Sequence, residues 1–266
     1  LPDNVDFDSA AFATLGAIAL QGFRLAKPQL GESVCVIGLG LLGLLAVQIA
    51  RASGCPVFGI DIDPRRVTLA RQLGCDAVTR EDCEPQALAF TSSRGFDHVL
   101  ICADTHSNDP VELAGFLSRD RGTVVAVGAV GMDIPRKIYY EKELVFKISR
   151  SYGPGRYDPS YEEAGRDYPY GYIRWTEGRN IAAFIDLLSK NLVDVKPLIS
   201  HRFPIDQAEE AYELITGKSK EAFLGVLLTY PVHESSVTPR KVVFQQNQQT
   251  ASAPIQIGVL GAGNYA

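Results

Sequence analysis

The stretch from Ser33 to Gly43, "SVCVIGLGLLG", joins a short apolar run to three glycines in G-x-G-x-x-G order. This pattern predicts a buried β-strand that turns directly into a helix. Gly38 allows the tight turn, and Gly40 lets a pyrophosphate approach the backbone because no Cβ intervenes. Gly43 lets the helix pack closely on the sheet. Because the helix start offers free N–H groups and a positive dipole end, we predict that the turn binds dinucleotide phosphates; its residues are Gly38, Gly40, Leu41, Leu42 and Gly43.

A second apolar run, "PVFGID", ends at Asp61, roughly 30 residues after the first run begins, which is the spacing of a βαβ unit. A carboxylate at this strand end can accept both hydroxyls of an adenosine ribose and would repel a 2′-phosphate. Asp61 therefore favours NAD over NADP. Arg65 and Arg66 follow closely and could admit a phosphate, which leaves the preference open. Asp63, before Pro64, has the alternative role of a helix N-cap.

Apolar runs of strand length alternate with helical patterns through most of the chain: "SVCVIG", "PVFGID", "DHVLICA", "GTVVAVGAV" and "ELVFKIS". Their continuous Val, Ile and Leu content is typical of parallel strands buried on both faces. We therefore predict an α/β doubly wound parallel sheet (Rossmann) with helices on both faces, over residues 31–230. Ligands of such sheets bind beyond the carboxyl ends of the strands. Backbone groups there are candidates to line the nicotinamide half, or are ordinary strand exits: Cys102, Ala103, Val127 and Gly128.

The composition is that of a globular domain, with 46% apolar and 21% charged residues. A net charge of -5 gives no reason to expect a nucleic acid or an anionic membrane as a partner. No apolar run approaches the ~20 residues that span a bilayer. The five cysteines have no CxxC spacing. This favours small buried side chains in a reducing cytoplasm over a disulfide framework.

After Ser149 the sequence changes character. Eight of the eleven tyrosines lie between Tyr139 and Tyr172, and Trp175 follows them. The loop 152–175 is either a contact platform at the mouth of the cofactor cleft or a structured loop whose rings pack on the core. A helix, the strand "PLISHRF", a helix capped at Asp206 and the strand "FLGVLLTY" then follow. The polar, Gln-rich stretch 231–254 is predicted to be a linker.

The sequence from Phe7 to Val78 resembles the cofactor domain of the medium-chain dehydrogenase/reductase family, the alcohol and polyol dehydrogenases. The resemblance extends over residues 5–230. It implies that residues 1–30 are the junction with a catalytic domain, and that Asp61 and Arg66 hold the adenosine ribose. It also implies hydride transfer between NAD and an alcohol- or sugar-type substrate, and that this chain alone turns over nothing. No catalytic residue is assigned.

Zinc-dependent members of that family take one ligand from a position that falls at or beside Ala13, in "AFATLG". This stretch has no Cys, His or Glu, so we expect no zinc ligand from this segment. The four histidines are scattered, and His106 alone lies near the predicted cleft.

The last residues, "IQIGVLGAGNYA" (255–266), resemble the start of the glucose–fructose oxidoreductase and inositol dehydrogenase family. We therefore interpret the chain as part of a two-domain oxidoreductase that ends within the first strand of a second Rossmann domain. The family resemblance also implies a homodimer through the edge strand near 137–150. Charges at Lys137, Glu141, Lys142 and Glu143 could instead protect a monomer edge. Two other functions stay open: a non-catalytic nucleotide-binding or scaffold module, and a methyltransferase-like fold.

Overall fold

Six parallel strands form the central sheet of the computed structural model, which describes residues 1–219 and 221–231. The strands lie in the order β3-β2-β1-β4-β5-β6, so that the chain starts in the middle and winds outward in both directions. This confirms the predicted doubly wound α/β fold. The strands are β1 (Val34–Ile37), β2 (Val57–Asp61), β3 (Asp76–Thr79), β4 (Phe96–Ile101), β5 (Ser118–Ala126) and β6 (Val145–Ile148).

Helices cover both faces of this sheet. The helices of the described residues are, in chain order, α1 (Phe7–Ala10), α2 (Ala13–Ala26), α3 (Leu41–Ala52), α4 (Pro64–Gln72), α5 (Cys83–Phe90), α6 (Asp109–Leu117), α7 (Arg136–Glu141), α8 (Pro159–Glu162), α9 (Glu177–Ser189) and α10 (Ala208–Ile215); of these, α10 packs instead on a second, smaller sheet. A hydrophobic core lies on each face of the central sheet, and alternate residues of β1 belong to one core or the other. Val34 and Val36 join the core under α2, α3, α4 and α9, while Cys35 and Ile37 join the core under α5, α6 and α7.

The N-terminal segment is part of this compact body, because α2 buries Leu20 and Phe23 in the same core as α3 and α9. Leu1–Tyr230 forms one compact unit. Two further parallel strands, β7 (Ile199–Pro204) and β8 (Gly225–Thr229), form a small separate sheet. The prediction that Asp206 caps the following helix was wrong. A 3₁₀ turn, Ile205–Gln207, precedes α10, and the cap position belongs to Gln207.

All five cysteines are buried and free, as the sequence pattern predicted. Within the described part of the chain, no helix is long and apolar enough to cross a membrane. The predicted linker 231–254, apart from Pro231, and the predicted second Rossmann start at 255–266 lie outside the described residues.

Candidate functional site

A cleft of about 670 Å³ opens at the carboxyl ends of β1, β2 and β4. This is the point where the strand order reverses, with β2 and β3 on one side of β1 and β4 on the other. Ligands of open α/β sheets bind at such a switch point. The lining residues are Ile37, Gly38, Gly40, Leu41, Leu42, Ile60, Asp61, Ile62, Arg66, Arg80, Cys102, Ala103, Asp104, Thr105, Ser107, Asp109 and Pro110.

The glycine turn at the base of the cleft has the geometry that a phosphate-binding turn requires. Gly38 has a φ of +93°, and a Cβ there would lie 2.6 Å from the backbone nitrogen of Ala103. At Gly43 a Cβ would lie 1.9 Å from the Gly38 carbonyl oxygen. A Cβ at Gly40, the N-cap of α3, would have the Arg66 guanidinium as its nearest neighbour, at 3.9 Å. The space above Gly40 is therefore open to a ligand, whereas Gly38 and Gly43 are required by packing.

Asp61 is 5% exposed and closes one wall of the cleft. Its Oδ2 accepts a hydrogen bond of 2.6 Å from the backbone N–H of Leu39, inside the glycine turn. Its Oδ1 accepts one of 2.8 Å from the N–H of Asp63. An ionised carboxylate offers about four acceptor sites, so two remain for ligand hydroxyls. Asp61 thus both orders the turn and retains the capacity to bind a ribose.

The two arginines after β2 have different surroundings. Arg65 donates three side-chain hydrogen bonds to Asp63, from Nε to both carboxylate oxygens and from Nη2 to Oδ2. The hydrogen bond from Arg65 lowers the pKa of Asp63 to about 2. Asp63 also caps α4 by accepting from the Arg65 N–H, which confirms the predicted N-cap. Arg66 instead lines the cleft, with its Nη1 3.8 Å from Oδ2 of Asp61.

The structure brings together eight of the residues that the sequence singled out: Gly38, Gly40, Leu41, Leu42, Asp61, Arg66, Cys102 and Ala103 all line the cleft. Val127 and Gly128 do not line it. The Val127 side chain packs on Gly22 of α2, and Gly128 lies against the carbonyl of Ala103. His106 is exposed and is not among the lining residues. Burial raises the pKa of the Cys102 thiol to about 12, so this side chain stays protonated at neutral pH.

Sequence reasoning did not single out the far wall of the cleft. Asp104, Thr105 and Ser107 come directly after β4, so the strand-end rule could have found them. Arg80 follows β3 and donates to Asp109 at the start of α6, with Nη2 2.6 Å from Oδ1 and Nε 2.9 Å from Oδ2. That ion pair spans 29 sequence positions, and no local pattern could reveal it.

The described residues offer no fit for a metal ion, since residues 1–219 and 221–231 contain no group of three His, Cys, Asp or Glu side chains placed to hold one. Ala13, at or beside the position that the sequence resemblance gives to a zinc ligand, begins α2. The cleft does fit a dinucleotide, because its glycine turn leaves Gly40 uncovered beside a buried carboxylate.

Comparison with known proteins finds similarity to dehydrogenases. Residues 42–166 match the family model described as zinc-binding dehydrogenase. D-xylulose reductase of Saccharomyces cerevisiae is 28% identical over 224 residues, which is 80% of this chain and 55% of that protein. Human sorbitol dehydrogenase is 27% identical over 218 residues, 80% of this chain and 54% of that protein. The chain thus spans about half the length of the curated relatives that it matches.

Among solved structures, alcohol dehydrogenase TADH from Thermus sp. ATN1 superimposes with a TM-score of 0.69 at 26% identity. The match covers 87% of this chain and 62% of that one. These relatives are alcohol and polyol dehydrogenases, which supports a dehydrogenase nucleotide-binding domain here.

Proposed function

We propose that this chain is the NAD(H)-binding domain of a medium-chain dehydrogenase/reductase, which moves hydride between the nicotinamide and an alcohol- or sugar-type carbon. One observation carries the proposal. A G-x-G-x-x-G turn and a buried carboxylate that hydrogen-bonds to it form two walls of one cleft at the switch point of the sheet. The match to zinc-binding dehydrogenases over residues 42–166 supports the reaction class.

In this proposal the protein binds and orients the dinucleotide, and the bound cofactor supplies the hydride chemistry. The N–H groups at the start of α3, around Leu41 and Leu42, bind the pyrophosphate, helped by the helix dipole. Asp61 accepts the hydroxyls of the adenosine ribose. Arg66, 3.8 Å from that carboxylate, covers the ribose from the solvent side.

The preference for NAD over NADP rests on the position of Asp61. A 2′-phosphate would bring negative charge against a carboxylate that is 5% exposed and poorly screened. Arg65 could neutralise such a phosphate only by leaving Asp63, to which it is bonded. Arg66 lines the same cleft, and it already faces Asp61.

We also propose that this chain binds NAD(H) without turning over a substrate. The chain spans 54% of the length of human sorbitol dehydrogenase, and the remaining part would supply the proton-transfer groups and most of the substrate pocket. If the chain were instead a non-catalytic nucleotide-binding module, it would bind the cofactor just as well. The two are separated by assaying alcohol oxidation in a protein that contains the catalytic domain.

Calorimetric titration with NADH and NADPH tests the cofactor proposal. Asp61→Asn keeps the size of the side chain but loses the charge and half of the acceptor sites. Loss of a charge-assisted hydrogen bond costs roughly 1.5–3 kcal/mol, so we expect NADH to bind at least about tenfold more weakly. Asp63→Asn is the matched control, since Asn caps helices as well as Asp does.

Unchanged thermal unfolding of both variants would show that the turn still folds. Equal NADH affinity in Asp61→Asn and the wild type would contradict the ribose assignment, and tighter NADPH than NADH binding would contradict the NAD preference.

A further inference from the structure

A second cleft, which we call the loop cleft, lies between α2 and the segment that follows β6, and its volume is about 650 Å³. Its polar and aromatic walls are formed by Gln21, Arg150, Arg156, Tyr157, Asp158 and Tyr168. Ile148, the last residue of β6, also lines it. Because β6 is parallel to β5, the loop cleft opens at the same edge of the sheet as the cofactor cleft. None of the residues that line the loop cleft also lines the cofactor cleft.

The backbone of the loop cleft is held in an unusual conformation. Ser151, Gly153, Gly155 and Tyr157 all have positive φ, at 49°, 116°, 111° and 66°. A positive φ is uncommon for a residue as bulky as tyrosine, and such strain concentrates at binding sites. The conformation is maintained by a 3.0 Å hydrogen bond from the Tyr157 N–H to Glu162. The ring of Tyr157 is fixed as well, with Arg156 4.1 Å and Arg150 4.9 Å from its centroid.

The two arginines of the loop cleft differ in their charge balance. Arg156 forms an ion pair of 2.6 Å with Glu162. Arg150 donates to the carbonyl of Arg156, and no carboxylate among residues 1–219 and 221–231 pairs with it. Its side chain is exposed at the cleft. Asp158, on another wall of the loop cleft, also forms no ion pair among the described residues, so the cleft contains one such charge of each sign, and Arg150 is the one that can bind an anionic group.

Two polar side chains complete a donor and acceptor set. Gln21 is 9% exposed, and its Oε1 accepts from Nδ2 of the fully buried Asn180 at 3.2 Å. This leaves the two hydrogens on Nε2 of Gln21 available to a ligand. On the other wall, Asp158 accepts from the Tyr168 hydroxyl and from the Ser160 N–H. It keeps further acceptor sites for hydroxyl groups.

We propose that the loop cleft binds a sugar that carries a negatively charged group, either a carboxylate or a phosphate. Arg150 binds the charge, the Tyr157 and Tyr168 rings contact the apolar face of the sugar, and Gln21 and Asp158 bind its hydroxyls. Aromatic rings with polar tips suit such a ligand, and small-molecule pockets have volumes of about 300–1,000 Å³. The proposal does not depend on the cofactor assignment, since no residue is shared between the two clefts.

The test is calorimetric titration of the whole chain, at about 0.15 M salt, with D-glucuronate, D-glucose 6-phosphate and D-glucose. We expect the charged sugars to bind at least fivefold more tightly than glucose. The charged sugar that binds more tightly identifies carboxylate or phosphate as the preferred group. Arg150→Gln should abolish this advantage and leave glucose binding unchanged. Arg121→Gln, an equal loss of charge at an exposed site outside the loop cleft, is the matched control and should bind like the wild type.

A second variant tests the aromatic contact. Tyr157→Asn removes the ring but suits the positive φ, because asparagine tolerates left-handed backbone. This variant should bind all three sugars, including glucose, about tenfold more weakly. Binding of none of the three sugars, equal affinity for glucose and glucuronate, or equal losses in Arg150→Gln and Arg121→Gln would each overturn the proposal. NADH affinity should stay unchanged in Arg150→Gln, which separates this result from a failure of the cofactor site.

Discussion

Gly43 shows how strictly a single residue determines the phosphate-binding turn. A Cβ at this position would lie 1.9 Å from the Gly38 carbonyl oxygen, and backbone on both sides would have to move. Gly43→Ala should therefore lower the free energy of unfolding by about 3 kcal/mol or more, the upper end for overpacking. Gly171→Ala is the control, because no atom lies within 4 Å of its Cβ position. Urea unfolding of the two variants measures the difference, and equal stability would contradict the packing assigned to Gly43.

Asp61 has a structural role that the sequence motif does not indicate. The sequence predicts a carboxylate that faces a ribose, but in the structure it also accepts from the N–H groups of Leu39 and Asp63. Alanine at this position would therefore disturb the turn and the ligand contact together. The asparagine variant keeps one acceptor oxygen and loses one of the two turn hydrogen bonds, so its thermal unfolding is measured beside its binding to separate the two effects.

At the scale of elements, Asp97 joins three neighbouring strands at the end of the sheet opposite the cofactor cleft. It accepts from the N–H and Oγ of Ser33, just before β1, and from Nε of Arg119 in β5. Burial raises the pKa of Asp97, but the hydrogen bonds from Arg119 and Ser33 outweigh it, so the net pKa lies below its usual 3.8. The bonded carboxylate therefore stabilises the fold above its unfolded pKa, and this stabilisation is lost as the pH falls through the folded pKa.

Asp97→Asn should lower the free energy of unfolding by about 1–3 kcal/mol at pH 7. The difference from the wild type should shrink as the pH falls from 5 toward 3, because the wild type then loses its charge. Thermal unfolding at several pH values measures this. Asp186→Asn, which removes an exposed i,i+4 ion pair with Lys190, is the control and should change stability by less than ~0.5 kcal/mol. A pH-independent loss in Asp97→Asn would refute the electrostatic account.

The elements that sequence analysis missed are those fixed by tertiary packing. The sequence predicted a helix capped at Asp206, but a 3₁₀ turn displaces the start of α10 to Ala208. Helix α2 was not identified, although it buries eight of its residues, because its small side chains give only a weak periodic signal. One of its two main helical partners, α9, begins about 150 residues further along the chain.

For the whole molecule, the doubly wound sheet and the base of its cleft could be predicted, because both follow from local patterns. The G-x-G-x-x-G turn places Gly38 and Gly40, and continuous apolar runs give the buried parallel strands. The Arg80–Asp109 pair and the loop cleft could not be predicted, since each depends on residues that only the folded chain brings together. The NAD preference, the cytoplasmic location and the second Rossmann domain stay predictions.

The sheet edge at β6 carries the remaining prediction, a two-fold dimer. The expectation of a protected edge depended partly on Lys142 and Glu143, but both are engaged elsewhere. The Lys142 ammonium donates to the carbonyls of Gly115, Phe116 and Ser118 at the end of α6, and Glu143 pairs with Arg121. Among the described strands, β6 pairs on one side only, and its Val145 and Ile148 are 43% and 66% exposed. An apolar, unpaired edge favours pairing with a second copy.

We therefore expect light scattering to give twice the mass of one chain. Val145→Lys should give a monomer, because a lysine on an edge strand opposes edge-to-edge pairing by bringing a charge into the paired edge. Leu192→Lys is the matched control, since its side chain is 48% exposed and lies outside β6. Its mass should equal that of the wild type. A monomeric wild type at high concentration would mean that β6 ends the sheet in solution, and a dimeric Val145→Lys would place the interface on another surface.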